Sequence, residues 1–322
     1  MCIAITMGDS SGVGPEIVLK AFAQRELPAD CIVIGDASIL ALCNEKLGYQ
    51  VPLHTITEVN ERQPNLLNVY DLGLLAPADL RIGEVSQKSG HAALRYVECA
   101  TKLALAKQIS AIVTLPINKE ATRLTAPNFS GHTEFIAELC GVENYTMMLA
   151  SEQLIVTHVS THISLRQALE QVTTEKVLNI IRLTHDAVAR LRPRNKIAVA
   201  GLNPHAGENG SFGTEDLTEI APAIAAARAE GIDANGPFPP DTIFFQTVKG
   251  KAYDAVVCMY HDQGHIPMKL LDFEGGINVT LGLPIIRTSV DHGTAFDIAW
   301  QGKAFTKSLH EACTLAEKLA RG

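Results

Sequence analysis

At 322 residues, with 47% hydrophobic and 19% charged residues, the chain is long enough for two globular lobes and too apolar for a disordered polymer. A formal net charge of -8 offers no basic face to a nucleic acid, so any anionic ligand must be caught by local groups. No run reaches the roughly 18 apolar residues of a membrane span, and the N-terminus shows no leader pattern. The seven cysteines are scattered without a CxxC pair, and the expectation is a cytoplasmic protein with reduced thiols.

In chain order, short β-rich runs alternate with longer helical patterns, which predicts an α/β protein built on a largely parallel sheet. Strands are expected at Cys2–Met7, Cys31–Gly35, Leu67–Tyr70, Ala111–Leu115, Met147–Ala150, Leu154–Ser160, Lys196–Gly201, Ala255–Met259 and Ile277–Leu281. Helices are expected over Pro15–Gln24, Gly90–Lys107, Thr174–Leu191, Asp216–Ala229 and Thr306–Ala320. Gly8-Asp9, Gly35-Asp36, Thr161-His162, Pro204-His205 and His261-Asp262 each follow an apolar strand, at the carboxyl edge where parallel sheets bind ligands. The chain has candidate crossings at Ala126–Gly131 and Glu274–Gly282. They divide it into a first α/β lobe of residues 1–127 and 281–322 and a second of residues 128–280.

Four constellations carry chemistry. His162, His205 and His261 each follow a strand in polar, turn-forming sequence, and three neutral imidazoles with an open position suit a catalytic divalent ion. Their spacing carries no signal, and each alone could equally be a rim histidine. Asp262 is either a partner fixing the His261 ring or a helix cap. Gly131-His132-Thr133-Glu134 opens a helical pattern, so His132 and Thr133 suit a phosphate or carboxylate, against the plainer reading of an N-cap. Lys269, Asn278 and Arg287 recur at a spacing of nine residues, and a point charge, an amide and a guanidinium fork complement a small dianion. The Gly-rich turn with Gly12 and Gly14 lacks both the GxGxxG and the P-loop pattern, so it signals a tight turn more than a cofactor. Asp291-His292 could likewise cap a helix or meet a nucleotide.

The ordered set ITMGDSSGVGPEI, PINKEA, GHTEF, VSTHISLRQAL, NPHAGENGSFG, PPDT, YHDQGHIPMK and GINVTLGLPIIRTSVDHGTAFDIA resembles the 4-hydroxythreonine-4-phosphate dehydrogenase family of vitamin B6 biosynthesis, over essentially the whole chain. That resemblance implies a two-lobed fold like that of isocitrate and isopropylmalate dehydrogenases, with a central cleft and NAD held by loops. It assigns metal binding to His162, His205 and His261, and substrate contacts to His132, Thr133, Lys269, Asn278 and Arg287. It further implies a homodimer in which the histidine at position 261 is lent to the site by the partner subunit.

Two departures stand out: Asp-Ser-Ser-Gly in the first motif in place of Asp-Pro-Ala-Gly, and His265, a position that is often His in relatives acting on threonate or erythronate 4-phosphates. The expected reaction is metal-dependent oxidation and decarboxylation of 4-phosphohydroxy-L-threonine to 3-amino-2-oxopropyl phosphate. D-threonate or D-erythronate 4-phosphate, giving dihydroxyacetone phosphate, is the alternative. A cis-dihydrodiol carboxylate dehydrogenase and a phosphotransferase stand behind these. Lys269 and Asp241 are the candidate proton-transfer groups. The cation is zinc, or cobalt, magnesium or manganese, and the oxidant is NAD with NADP open.

Overall fold

A computed structural model of the chain describes residues 1–272 and 276–321, so Glu274 and Gly275 of the second expected crossing lie outside the described residues. The elements run β1 (Ile3–Thr6), α1 (Gly14–Ala23), β2 (Cys31–Gly35), α2 (Ala37–Leu47), β3 (Leu53–Ile56), β4 (Leu67–Asp71), α3 (Gln87–Leu105), β5 (Ala111–Thr114), α4 (Lys119–Arg123), α5 (His132–Cys140), β6 (Thr146–Ala150), β7 (Ile155–His158), α6 (Leu165–Glu170), α7 (Thr174–Leu191), β8 (Ile197–Ala200), α8 (Ala221–Ala229), β9 (Ala234–Phe238), α9 (Pro240–Val248), β10 (Ala255–Cys258), α10 (His261–Leu271), β11 (Ile277–Leu281), β12 (Arg287–Ser289) and α11 (Lys307–Arg321). Two compact units result, one of Met1–Glu143 with Leu283–Ala320, the other centred on Asn144–Gly282.

In the first unit the strands lie in the order β3-β4-β2-β1-β5-β12, all parallel. β1, β2 and β5 are buried throughout, as strands covered on both faces must be. Parallel register sets Thr6 of β1 opposite Thr114 of β5, and Thr114 opposite Ser289 of β12, so these hydroxyls form a polar row at the carboxyl edge. Gly8 continues β1 into a tight turn with φ +72, where a Cβ would lie 2.5 Å from the Pro116 carbonyl oxygen. Ser11 in that turn donates to the Ser89 hydroxyl of α3 at 3.0 Å.

The second unit has the order β11-β6-β7-β10-β8-β9, antiparallel across β11-β6-β7 and parallel thereafter. Helix α7 starts at the Thr173 cap, whose hydroxyl accepts from the Lys176 N–H. Its buried Val177, Ile180, Ile181, Thr184, Ala187 and Val188 follow the 3.6-residue period. Val177, Ile180 and Ile181 pack in one core with Ile197, Val199 and Val257, where truncating one buried Ile to Ala costs roughly 2–5 kcal/mol. The expected helix at Asp216 begins instead as one π-turn, Asp216–Ile220, before α8.

Candidate active site

Strand order explains why distant histidines share an edge. β10 pairs in parallel with β7 on one side and with β8 on the other, so the segments after these strands, carrying His162, His205 and His261, leave from one carboxyl edge. The structure brings His162 and His261 together, with ring centroids 5.5 Å apart. Both line a cavity of about 250 Å3 with Thr161, Leu165, Tyr260 and Asp262. Nδ1 of His261 lies 2.6 Å from Asp262 Oδ1, a contact that in the neutral ring sets the proton on Nδ1 and the lone pair on Nε2. Asp262 is therefore a ring partner; the helix cap is Tyr260.

His265 stacks on His261 at 3.5 Å between centroids and 11° between planes, and the buried His158 lies 4.7 Å beyond it. Burial pushes the His158 imidazole down to about 3, with His265 adding to the shift, so the ring is neutral, and its Nε2 has no hydrogen-bond partner. Gln263 bridges the two histidine-bearing segments: its Oε1 accepts from Met259 N–H at 2.7 Å and its Nε2 donates to Gly201 O at 2.7 Å. His158 and Gln263 were not marked in the sequence, where nothing local distinguishes them from ordinary strand and helix residues.

His205 stands apart, its ring beside Phe212 at 6.2 Å. It begins a left-handed turn, with φ of 54 at His205, 53 at Ala206, 41 at Glu208 and 55 at Asn209. L-residues there cost roughly 1–2 kcal/mol each, a strain that persists only where the surroundings impose it.

The imidazoles fit a divalent ion in chemistry, being nitrogen donors with an oriented lone pair at His261. In one copy of the chain, no three His, Cys, Asp or Glu side chains among the described residues stand close enough to hold it.

In the first unit the anion-directed residues assemble on the carboxyl edge of β5 and β12. Arg287 on β12 is 2% exposed and donates to Thr114 Oγ1 through Nε at 3.2 Å and Nη2 at 2.7 Å, and to Thr133 Oγ1 through Nη1 at 3.3 Å. Burial lowers its guanidinium to about 10, with the Glu134 carboxylate opposing, so it stays cationic at neutral pH. His132 and Thr133 are the first residues of α5, capped by Gly131 with no side-chain cap, so Thr133 is not the N-cap. Burial first, then Arg287 and Lys119, hold the His132 ring well below the usual histidine range, and its Nε2 is buried and unpartnered.

Among the remaining residues singled out in the sequence, Lys269 sits half-buried in the last turn of α10. Asn278 lies on β11 with a buried Oδ1 lacking a partner, and Asp241 is exposed in the first turn of α9. Gly12 and the segment after Asp291-His292 meet: Val13 N–H donates to Thr294 O at 3.0 Å, and a Cβ on Gly12 would lie 2.6 Å from that oxygen. A Cβ on Gly14 would lie 2.1 Å from Met7 O, so the packing of the turn itself demands both glycines. Asp291 and His292 precede a short 3-10 turn, and α11 starts only at Lys307.

The chain has an α/β fold of the isocitrate/isopropylmalate dehydrogenase-like kind. A crystal structure of a beta-decarboxylating dehydrogenase from Thermococcus kodakarensis is similar with a TM-score of 0.50 and 13% identity, over 98% of this chain and 81% of that one, and carries the fold alone. The chain belongs to the PdxA family, since the model of the pyridoxal phosphate biosynthetic protein PdxA matches residues 28–316. It is 48% identical to D-threonate 4-phosphate dehydrogenase of Salmonella typhimurium over 99% of this chain and 98% of the relative. It is 47% identical to 4-hydroxythreonine-4-phosphate dehydrogenase of Geobacter metallireducens, over 99% and 95%. The 1.25 Å crystal structure of 4-hydroxythreonine-4-phosphate dehydrogenase from Klebsiella pneumoniae is similar with a TM-score of 0.92 and 46% identity, covering 100% of this chain and 98% of that one. The protein is thus an oxidoreductase, a dehydrogenase of this family, which implies a nicotinamide cofactor. Among the described residues, no helix is long and apolar enough to cross a membrane.

Proposed function

We propose that the protein oxidises, with NAD, the C3 hydroxyl of a four-carbon 4-phosphorylated acid and releases its C1 carboxylate as carbon dioxide. The observation that carries this reading is Arg287, a cation buried among the hydroxyls of Thr114 and Thr133 beside the His132 ring. A guanidinium kept in so dry a place binds a phosphate or carboxylate far more strongly than an exposed one would. D-threonate 4-phosphate is the substrate we put first, because relatives bearing that name reach 48% identity. Its 2-amino analogue, 4-phosphohydroxy-L-threonine, is the second reading, favoured by the Geobacter metallireducens relative and the Klebsiella pneumoniae structure.

In the oxidation, hydride leaves C3 for NAD and the hydroxyl proton passes to a base, for which Lys269 is the candidate and Asp241 the substitute. The C1–C2 bond of the resulting β-keto acid then breaks, carbon dioxide departs, and a proton returned to C2 gives dihydroxyacetone phosphate from threonate. Held by the imidazoles, a divalent ion would supply Lewis acidity toward the C3 oxygen and an electron sink for the loss of carbon dioxide. His162 and His205 of one copy with the partner subunit's His261 are its proposed ligands, an arrangement consistent with the lack of a three-ligand cluster among the described residues of one copy. Asp262 keeps the His261 ring in the tautomer that such a role needs. Asn278, with its unpartnered Oδ1, is assigned to the substrate.

The test is the yield of NADH and carbon dioxide from D-threonate 4-phosphate, D-erythronate 4-phosphate, 4-phosphohydroxy-L-threonine and unphosphorylated threonate. One NADH and one carbon dioxide per molecule, with the highest kcat/KM on D-threonate 4-phosphate, is expected. No NADH from any phosphorylated acid overturns the reading.

A further inference from the structure

We propose that Asp216 is a positioning residue for the cation site: its carboxylate holds the left-handed turn that carries His205, and thereby sets the affinity for the metal. This rests on the reading of His205 as a ligand. Asp216 is fully buried, and the three hydrogen bonds of its carboxylate all come from the two residues that enter the turn. Oδ1 accepts the Leu202 N–H at 2.9 Å, while Oδ2 accepts the Asn203 N–H at 3.1 Å and the Asn203 Nδ2 at 3.0 Å. Glu215 Oε2 takes the same amide group at 2.8 Å, so Asn203 is gripped by two adjacent carboxylates.

The backbone is shaped around this carboxylate. A Cβ on Gly201 would lie 2.6 Å from Asp216 Oδ1 and 2.9 Å from Ala206, and one on Gly207 would lie 3.3 Å from Asp216 Oδ2. The next residues, His205, Ala206, Glu208 and Asn209, all adopt positive φ against their own preference. A run of strained L-residues stays in place only if something beside it is fixed more firmly. Here that anchor is a carboxylate, which alone among side chains of this size presents acceptors to every one of these N–H groups. Aspartate is therefore required, because the isosteric asparagine would turn an N–H against an N–H.

The experiment measures zinc dissociation constants by competition with a chromophoric chelator, for the wild type, Asp216→Asn and His205→Ala, with apo-protein melting recorded alongside. The expected result is wild-type binding, loss in His205→Ala, and a 10- to 100-fold weaker constant in Asp216→Asn, the size typical when a group that orients a ligand is removed. An unchanged constant in Asp216→Asn, whatever its apo melting temperature, overturns the proposal while leaving the metal reading intact. Unchanged binding in His205→Ala, or none in the wild type, sinks that reading and this inference with it. If Asp216→Asn does not fold, Asn203→Ala removes one of the three bonds; at least threefold weakening supports the proposal and an unchanged constant overturns it.

Discussion

Arg287 and Thr114 are joined twice: Nε and Nη2 of the guanidinium both donate to one hydroxyl oxygen, at 3.2 and 2.7 Å. The strands they sit on are paired in parallel, but the two residues are not in register, so the arginine reaches along the sheet to the carboxyl edge. Replacing Thr114 by Val keeps the shape and removes the acceptor. The expected cost is about 1–3 kcal/mol in denaturant unfolding, the penalty for stranding buried donors, with a KM for phosphorylated substrate raised roughly tenfold for about 1.4 kcal/mol lost in binding. Thr114→Ser should stay close to wild type. Equal kinetics in Thr114→Val would show that the hydroxyl does not orient Arg287.

Asp9 follows β1, fully buried, with Oδ1 accepting the Ser11 N–H at 2.9 Å and Oδ2 unpartnered. Burial raises its carboxyl to about 6, with the backbone N–H groups of Ser11 and Asn118 opposing the rise. Since the folded pKa lies above the unfolded one, the folded state holds the proton more tightly. The associated stability is complete below about pH 4 and is lost as pH rises through about 6, a change of up to about 3 kcal/mol for two pH units. Asp9→Asn, which keeps the acceptor for Ser11, should melt higher than wild type at pH 8 and lose that advantage near pH 4. A lower melting temperature for the variant at pH 8 would contradict the assignment.

Gln263 ties Met259, at the end of β10, to Gly201, at the end of β8. In Gln263→Leu a buried N–H and a buried carbonyl each lose their partner. Unfolding free energy should fall by about 2–6 kcal/mol, twice the cost of one unsatisfied group, with chelator-resistant zinc also reduced. Retention of both would mean that the edge holds its shape without the bridge.

Much of this architecture was readable from residue pattern. The α7 boundaries coincide with Thr174–Leu191 because an apolar stripe and a Thr cap agree on them. β3 escaped notice because only Ile56 of its four residues is buried, leaving no alternation to detect at the sheet margin. β9 was hidden by Gly236 and Pro237, residues that argue against a central strand and are tolerated here because β9 lies at the sheet edge with an irregular register. Thr114 had a visible signal, a polar residue ending an apolar strand. Asp216 had none, since its pairing with Leu202 and Asn203 is a tertiary contact across a turn of unusual hand. The closeness of His162 and His261 follows from β7 lying beside β10, an order that no local periodicity encodes.

The most direct measurement is activity in a mixture of two inactive variants, His162→Ala and His261→Ala, after subunits are allowed to exchange. If each cation is held by His162 and His205 of one copy and the partner subunit's His261, a mixed dimer has one intact site of two, and an equimolar mixture should regain about a quarter of wild-type turnover. No recovery in that mixture, with recovery when His162→Ala is mixed with His205→Ala, would mean that His162 and His261 bind from the same copy, and the assignment of His261 to the partner subunit would be wrong.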